Sequence, residues 1–234
     1  MKILQEKIYT IPVNEAFEQS ENGCPFCLLF KRLDEIELDL ILGASMMEPD
    51  IRILTNKKGF CPTHFTKMFY RKNRLSLALM LESHLDELKD DIKIGGFLSK
   101  NIGTKPIERI SRLEESCYVC GRINEKIDKM FATAIYLYKN ENEFVNKFNA
   151  QKMFCLPHYK KLLETASKSL DKKLYDQFVK DTDKIVSGYL AELKEDVSWF
   201  CKKFDYRYEN EPWGNAKNSV ERSIQFLSGP VELN

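Results

Sequence analysis

The sequence predicts a mainly α, internally duplicated protein. Each half is expected to be a helical hairpin pinned by a Cys3His metal site, with a long C-terminal helix and a tail after them. Three observations carry this. Apolar residues recur at steps of three and four over most of the chain, a set of Cys and His pairs occurs twice in one order, and period-two alternation is confined to the first dozen residues. The expected boundaries are 1–96 for the first metal-binding repeat, 97–170 for the second and 171–234 for the long helix and tail packing on them.

In chain order, Leu29, Leu33, Ile36 and Leu40 step by 4, 3 and 4 against Lys31, Arg32, Asp34, Glu35 and Glu37, which predicts a helix ending near Gly43. Residues 44–60 read as a loop, with Pro49 and Gly59 as breakers and a brief extended stretch at 51–55. Helix resumes at Pro62, carries Leu81, Leu85, Leu88 and Ile92, and stops at Gly95-Gly96; residues 95–106, with three Gly and Pro106, read as the linker. In the second half Ile123, Ile127, Met130, Ala134 and Tyr138 share one helix face, and Tyr159, Leu162, Leu163, Ala166 and Leu170 share the face of its return partner. A long stripe follows through Phe178, Ile185, Tyr189, Leu193, Val197, Phe200 and Phe204, on which Cys201 reads as core packing. Asn215 caps a last helix holding Val220, Ile224 and Leu227, ended by Gly229-Pro230.

The chain has 7 Cys and 3 His, and eight of these ten form four pairs. Cys24/Cys27 and Cys117/Cys120 are C-x-x-C; Cys61/His64 and Cys155/His158 are C-x-x-H. Chance would give about 0.3 such pairs. The order repeats with 33 intervening residues in the first half and 34 in the second, and Phe60-Cys61-x-x-His64-Phe65 matches Phe154-Cys155-x-x-His158-Tyr159. Each half thus supplies three thiolates and one imidazole, the full ligand set of a closed, structural zinc site. The expected sets are Cys24, Cys27, Cys61 and His64, then Cys117, Cys120, Cys155 and His158, two Zn2+ in all. Each ion would join two helix N-termini, whose partial positive charge favours thiolate. The alternatives are an iron–sulfur cluster and a redox C-x-x-C.

Composition narrows the function classes. With 36 Lys+Arg against 35 Asp+Glu, the net charge of +1 gives no basic excess of the kind a dedicated duplex-DNA binder carries. No apolar run approaches the roughly 18 residues of a membrane span, and the first residues lack a basic segment leading into an apolar one. An odd number of Cys without a leader argues for reduced thiols in the cytoplasm.

Ile11-Pro12-Val13-Asn14-Glu15-Ala16-Phe17 before Cys24-Pro25-Phe26-Cys27, Met47-Glu48-Pro49-Asp50-Ile51-Arg52, Gly59-Phe60-Cys61, Asn73-Arg74-Leu75, Phe204-Asp205-Tyr206-Arg207 and Pro212-Trp213-Gly214 resemble a family of uncharacterised bacterial proteins. The resemblance spans nearly the whole chain and implies a shared fold and motif set, but no activity. Its polar residues form a second tier of candidates. Glu48, Arg52, Arg74 and His84 are expected to converge near the first metal site, while Asp205 and Arg207 either hold a ligand carboxylate or phosphate with Trp213 as a stacking face or clasp the tail. The overall expectation is a zinc scaffold for an unidentified ligand or protein partner. The competing readings are an iron–sulfur redox protein or metal-dependent enzyme, and a zinc-containing nucleic-acid regulator.

Overall fold

A computed structural model of the chain describes residues 2–93 and 103–231, with side chains from residue 8 onward. Among the described residues there are eleven α-helices, four short 3-10 turns and no strand. The expected stop at Gly95-Gly96, most of the 95–106 linker and the 96/97 boundary lie outside the described residues.

The helices are α1 (Lys2–Phe17), α2 (Pro25–Leu42), α3 (Pro49–Lys58), α4 (Pro62–Tyr70), α5 (Arg74–Asp91), α6 (Thr104–Glu115), α7 (Tyr118–Asn140), α8 (Asn142–Asn149), α9 (Leu156–Ser169), α10 (Lys172–Lys202) and α11 (Ser219–Ser228). The duplication is visible in their order. A C-x-x-C opens α2 and α7, a short helix follows as α3 and α8, a C-x-x-H opens α4 and α9, and a longer helix closes each set as α5 and α10.

Several local expectations are corrected. Residues 2–12, within the only stretch with period-two alternation, are helical as part of α1. The expected loop at 44–60 holds α3, because Pro49 at its first turn has the φ a helix entry needs and lacks only an N–H that would have no intrahelical partner. Ile51–Thr55 is therefore helical rather than extended. On α2 the buried face runs through Leu33, Asp34, Glu37, Leu38 and Ile41, while Ile36 and Leu40 are exposed. Asp34 and Glu37 belong inside because each has cationic partners there, and the apolar spacing alone could not reveal that. On α5 the buried residues are Ser76, Leu77 and Met80, whereas Leu85 and, just past the helix end, Ile92 are exposed. Cys201 is exposed rather than core, and Val220, Ile224 and Leu227 lie on the outer face of α11, which buries Ser219 and Phe226 instead.

The chain divides into two compact units, residues 1–31 with 127–234, and residues 32–126; the divisions fall inside α2 and α7. These units do not follow the sequential boundaries 1–96, 97–170 and 171–234.

The first unit is built on aromatic packing. Phe17, Phe26, Phe131, Phe144, Phe148, Phe154 and Phe178 are each at most 1% exposed. Phe17 contacts four of the others, and Phe26 stacks on Phe131 at 3.8 Å between ring centres. Tyr138 closes the cluster and donates its hydroxyl to Asp181 at 2.5 Å.

The second unit buries more polar groups. Arg109, 4% exposed, donates to Asp91 and to the carbonyls of Asn56 and Lys57 at the end of α3, where carbonyls lack intrahelical partners. Glu37 is held by Arg122 and Lys126.

Burial raises the phenol pKa of Tyr138, Tyr159 and Tyr189 in the first unit, with Asp181 adding to the rise at Tyr138. Their folded-state pKa values exceed the unfolded ones, so these phenols cost nothing below about pH 10 and remove stability as pH rises beyond it. The urea midpoint is expected to fall between about pH 9 and about pH 11. A constant midpoint would contradict the assignment.

Candidate metal centres

All four Cys and His pairs open helices. Cys24 precedes α2, Cys117 precedes α7, and Cys61 and Cys155 cap α4 and α9 from extended backbone with Pro at the first or second helical position. The Cys carbonyls take the first intrahelical bonds: Cys24 O from Leu28 N, Cys61 O from Phe65 N, Cys117 O from Gly121 N and Cys155 O from Tyr159 N. In each C-x-x-H the imidazole thus falls in the first turn, beside the cysteine that begins it.

The eight side chains assemble into two tetrads, each with its four ligand atoms within 4.8 Å of one another. The pairing differs from the expected one. Cys24 and Cys27 meet Cys155 and His158 in the first unit, and Cys61 and His64 meet Cys117 and Cys120 in the second. We call these the outer and inner tetrads, after their places in the sequence.

In the outer tetrad, Nδ1 of His158 lies 3.5, 3.5 and 3.1 Å from the sulfurs of Cys24, Cys27 and Cys155. In the inner one, Nδ1 of His64 lies 3.2, 3.3 and 3.3 Å from those of Cys61, Cys117 and Cys120. Sulfur–sulfur distances are 3.6 Å for Cys27–Cys155 and 3.9 Å for Cys61–Cys120. One nitrogen cannot serve three thiols as a hydrogen-bond partner. A tetrahedral ion with usual zinc bond lengths sets edges of about 3.6 Å for S···N and about 3.8 Å for S···S. The donor sets fit one such cation apiece and could hold metal ions.

The electrostatics of the inner tetrad point the same way. Burial opposes charge on His64, yet Asp34 and the thiolates of Cys117 and Cys61 push its pKa up to about 10. Contact with Cys120 brings Cys117 down to about 3, and the resulting thiolate pushes Cys120 upward. In the outer tetrad Cys24 is lowered against its burial by contacts with Cys155, Cys27 and His158, while Cys27 and Cys155 are raised. Thiols this close cannot all ionise unless a cation joins them.

The surroundings of the two differ. Nε2 of His64 bonds Asp34 Oδ1 at 2.8 Å, and Lys67 donates to Asp34 Oδ2 at 2.8 Å. This fixes the tautomer with Nδ1 turned to the sulfurs. His158 instead sits against Phe26 and Phe131, with ring centres at 5.9 and 5.7 Å. A backbone bond from Tyr118 N to Gly59 O, 2.9 Å, joins the inner tetrad's two entry segments. Gly59 has φ +62, and a Cβ there would stand 2.9 Å from Leu113. At the outer tetrad Gly229, φ +85, lets the end of α11 lie over Pro157 and the Cys155 sulfur.

The profile of a family of unknown function, DUF6062, matches residues 4–234. The chain belongs to this family. No curated protein and no solved structure matches it. Among the described residues of this DUF6062 chain, no helix is long and apolar enough to cross a membrane.

The second tier of candidates is engaged locally. Glu48 precedes α3 and its carbonyl accepts from Arg52 N; the Arg52 guanidinium donates to Leu79 O; Arg74 lies 3.5 Å over the Phe69 ring. His84 lines a small gap with Thr55, Asn56, Phe60 and Phe65, its Nδ1 buried without a partner. Asp205 and Arg207 bind each other, with Nη2–Oδ2 at 2.6 Å, on the surface of the tail.

The strongest tail contact comes from a residue the sequence did not single out. Lys203, 8% exposed, donates to the carbonyls of Tyr208, Glu209 and Glu211, each at 2.7 Å, with its ammonium 5.3 Å from the Trp213 ring. Trp213 in turn packs on Phe200, and the Trp199 indole donates to Pro212 O. Its signal was a Lys at the end of a long helix before an irregular segment, where free carbonyls collect. Lys203→Met leaves those carbonyls without their donor and should lower stability by about 1–3 kcal/mol, read from urea unfolding. It should also speed proteolysis within 204–218, and an unchanged cleavage rate would rule out the clasp.

Proposed function

We propose that both tetrads bind zinc and that the ions are structural, so that the protein is a metal-pinned helical scaffold for recognising a ligand or partner rather than a metalloenzyme. The observation that carries this reading is the approach of three sulfurs and one imidazole nitrogen to a common centre, twice, with all donors within 4.8 Å. Four protein ligands complete a tetrahedral shell and leave no position for substrate. A polynuclear iron–sulfur cluster is disfavoured because it distributes its ligands over several irons, which spreads the donor atoms farther apart. Reduced thiolate donors suit a reducing compartment such as the cytoplasm.

When bound, the ions supply a fixed tetrahedral node and a charge that the thiolates need. The chain's own residues do the rest. Helix entries at α2 and α9, and at α4 and α7, present the donors, and Asp34 holds the His64 ring. Elemental analysis of anaerobically purified full-length protein tests the reading. Two zinc ions per chain and no colour are expected, and visible absorbance with stoichiometric iron would replace it with the redox alternative.

A further inference from the structure

The two tetrads have the same donor types but not the same cover. In the outer one Cys24, Cys155 and His158 are buried and only Cys27 is half-buried, whereas in the inner one both Cys61 and Cys120 are half-buried. The outer donors are also roofed. Phe26 and Phe131, each at most 1% exposed, stand against His158, and the end of α11 at Gly229 lies over Cys155.

Cover at Cys120 is thinner. Its backbone lies within α7, so its exposure belongs mainly to the side chain, which beyond Cβ is sulfur alone. The next residue, Gly121, is exposed, and a Cβ on it would meet, beyond its own stretch of helix, only Lys58 Nζ at 3.6 Å among the described residues. The two half-buried sulfurs are neighbours, with Cys61 and Cys120 Sγ 3.9 Å apart. Cys117 differs from both: it is buried, and its sulfur accepts the Cys120 N–H at 3.5 Å.

We propose that the inner tetrad is a redox-sensitive site, at which hydrogen peroxide oxidises Cys61 and Cys120 to a disulfide while the outer tetrad stays reduced. The inference rests on the scaffold reading, in which both sulfurs are held as thiolates. The Cys120 thiolate attacks one peroxide oxygen: an S–O bond forms, the O–O bond breaks, and the hydroxide that leaves is protonated by solvent. The Cys61 thiolate then attacks the Cys120 sulfur: the S–S bond forms, the S–O bond breaks, and a second hydroxide leaves and is protonated. The two thiolates give up two electrons, and the peroxide is reduced to two waters. Cys117 and His64 then remain as the only donors of a four-ligand site, too few to retain its ion. Oxidation thus exchanges a metal link between α4, which Cys61 caps, and α7 for a covalent one.

The test uses full-length, zinc-loaded protein in which the exposed Cys201 is replaced by Ser. Hydrogen peroxide is added at neutral pH, zinc release is followed with a metallochromic dye, and samples taken at intervals are alkylated and mapped by mass spectrometry. One zinc per chain is expected to leave at least about tenfold faster than the second, in step with a Cys61–Cys120 disulfide, because susceptibility follows exposure of the thiolate. Cys24, Cys27 and Cys155 should still be alkylated after that first release, and dithiothreitol with added zinc should restore two ions. No oxidation, equal rates for the two ions, earlier oxidation of Cys24, Cys27 or Cys155, or a Cys117–Cys120 bridge overturns the proposal. Zinc content before oxidation separates the two failures: two ions released in the wrong order defeat this inference alone, whereas a chain purified without zinc defeats the scaffold reading and this inference with it.

Discussion

Replacing Cys27 and Cys155 together by Ser is expected to remove one metal ion per chain, whereas replacing Cys27 and Cys61 together is expected to remove both. The first pair of changes strikes one tetrad twice, and the second strikes each once. Pairing within the sequence halves would give the reverse, one ion lost for Cys27 with Cys61 and two for Cys27 with Cys155. The readout is metal per chain by elemental analysis on soluble protein. The effect should be large, because structural zinc contributes on the order of 10–16 kcal/mol of binding free energy at neutral pH, and a three-ligand remnant keeps little of it. Equal metal content in the two double variants would defeat the exchanged pairing.

Asp34→Asn should weaken metal retention at the inner tetrad by about 10–100-fold while leaving the outer one unchanged. Asp34 is 2% exposed and joins the His64 Nε2–H to the Lys67 ammonium. The amide can still accept from His64, but it then turns an NH2 group toward a cation and carries no charge to support the imidazole. Competition with a chromogenic chelator would show one ion leaving early and one at the wild-type rate. If the two ions leave together, Asp34 does not act through His64.

The helical class, the duplication and all eight tetrad members were legible in the sequence, because four Cys and His pairs at a three-residue step lie far beyond chance and helix periodicity survives in long elements. The partner of each pair was not. Spacing reports that Cys24 and Cys61 lie 37 positions apart, but not that Cys24 joins Cys155 and His158 while Cys61 joins Cys117 and Cys120. The inward turn of Asp34 and Glu37 was illegible for a related reason. Their burial depends on Lys67, Lys126 and Arg122, which are remote in sequence and carry no periodic signal. Lys203 is the same kind of case at short range, a cation buried by the carbonyls of a segment with no regular structure.

The exchanged pairing places one tetrad inside the other along the chain, His64 to Cys117 within Cys27 to Cys155, and this has a consequence for synthesis. Closing 127 intervening residues costs under about 1 kcal/mol more than closing 52, so loop entropy hardly ranks the two events. Emergence from the ribosome does. Cys24, Cys27, Cys61 and His64 are all made 56 residues before Cys120, about 3–11 s at usual elongation rates. During that interval the only complete Cys3His set of four donors is a non-native one, so under the proposed metal-binding reading the nascent chain must either stay metal-free or surrender an ion from the wrong partners when Cys117 and Cys120 arrive.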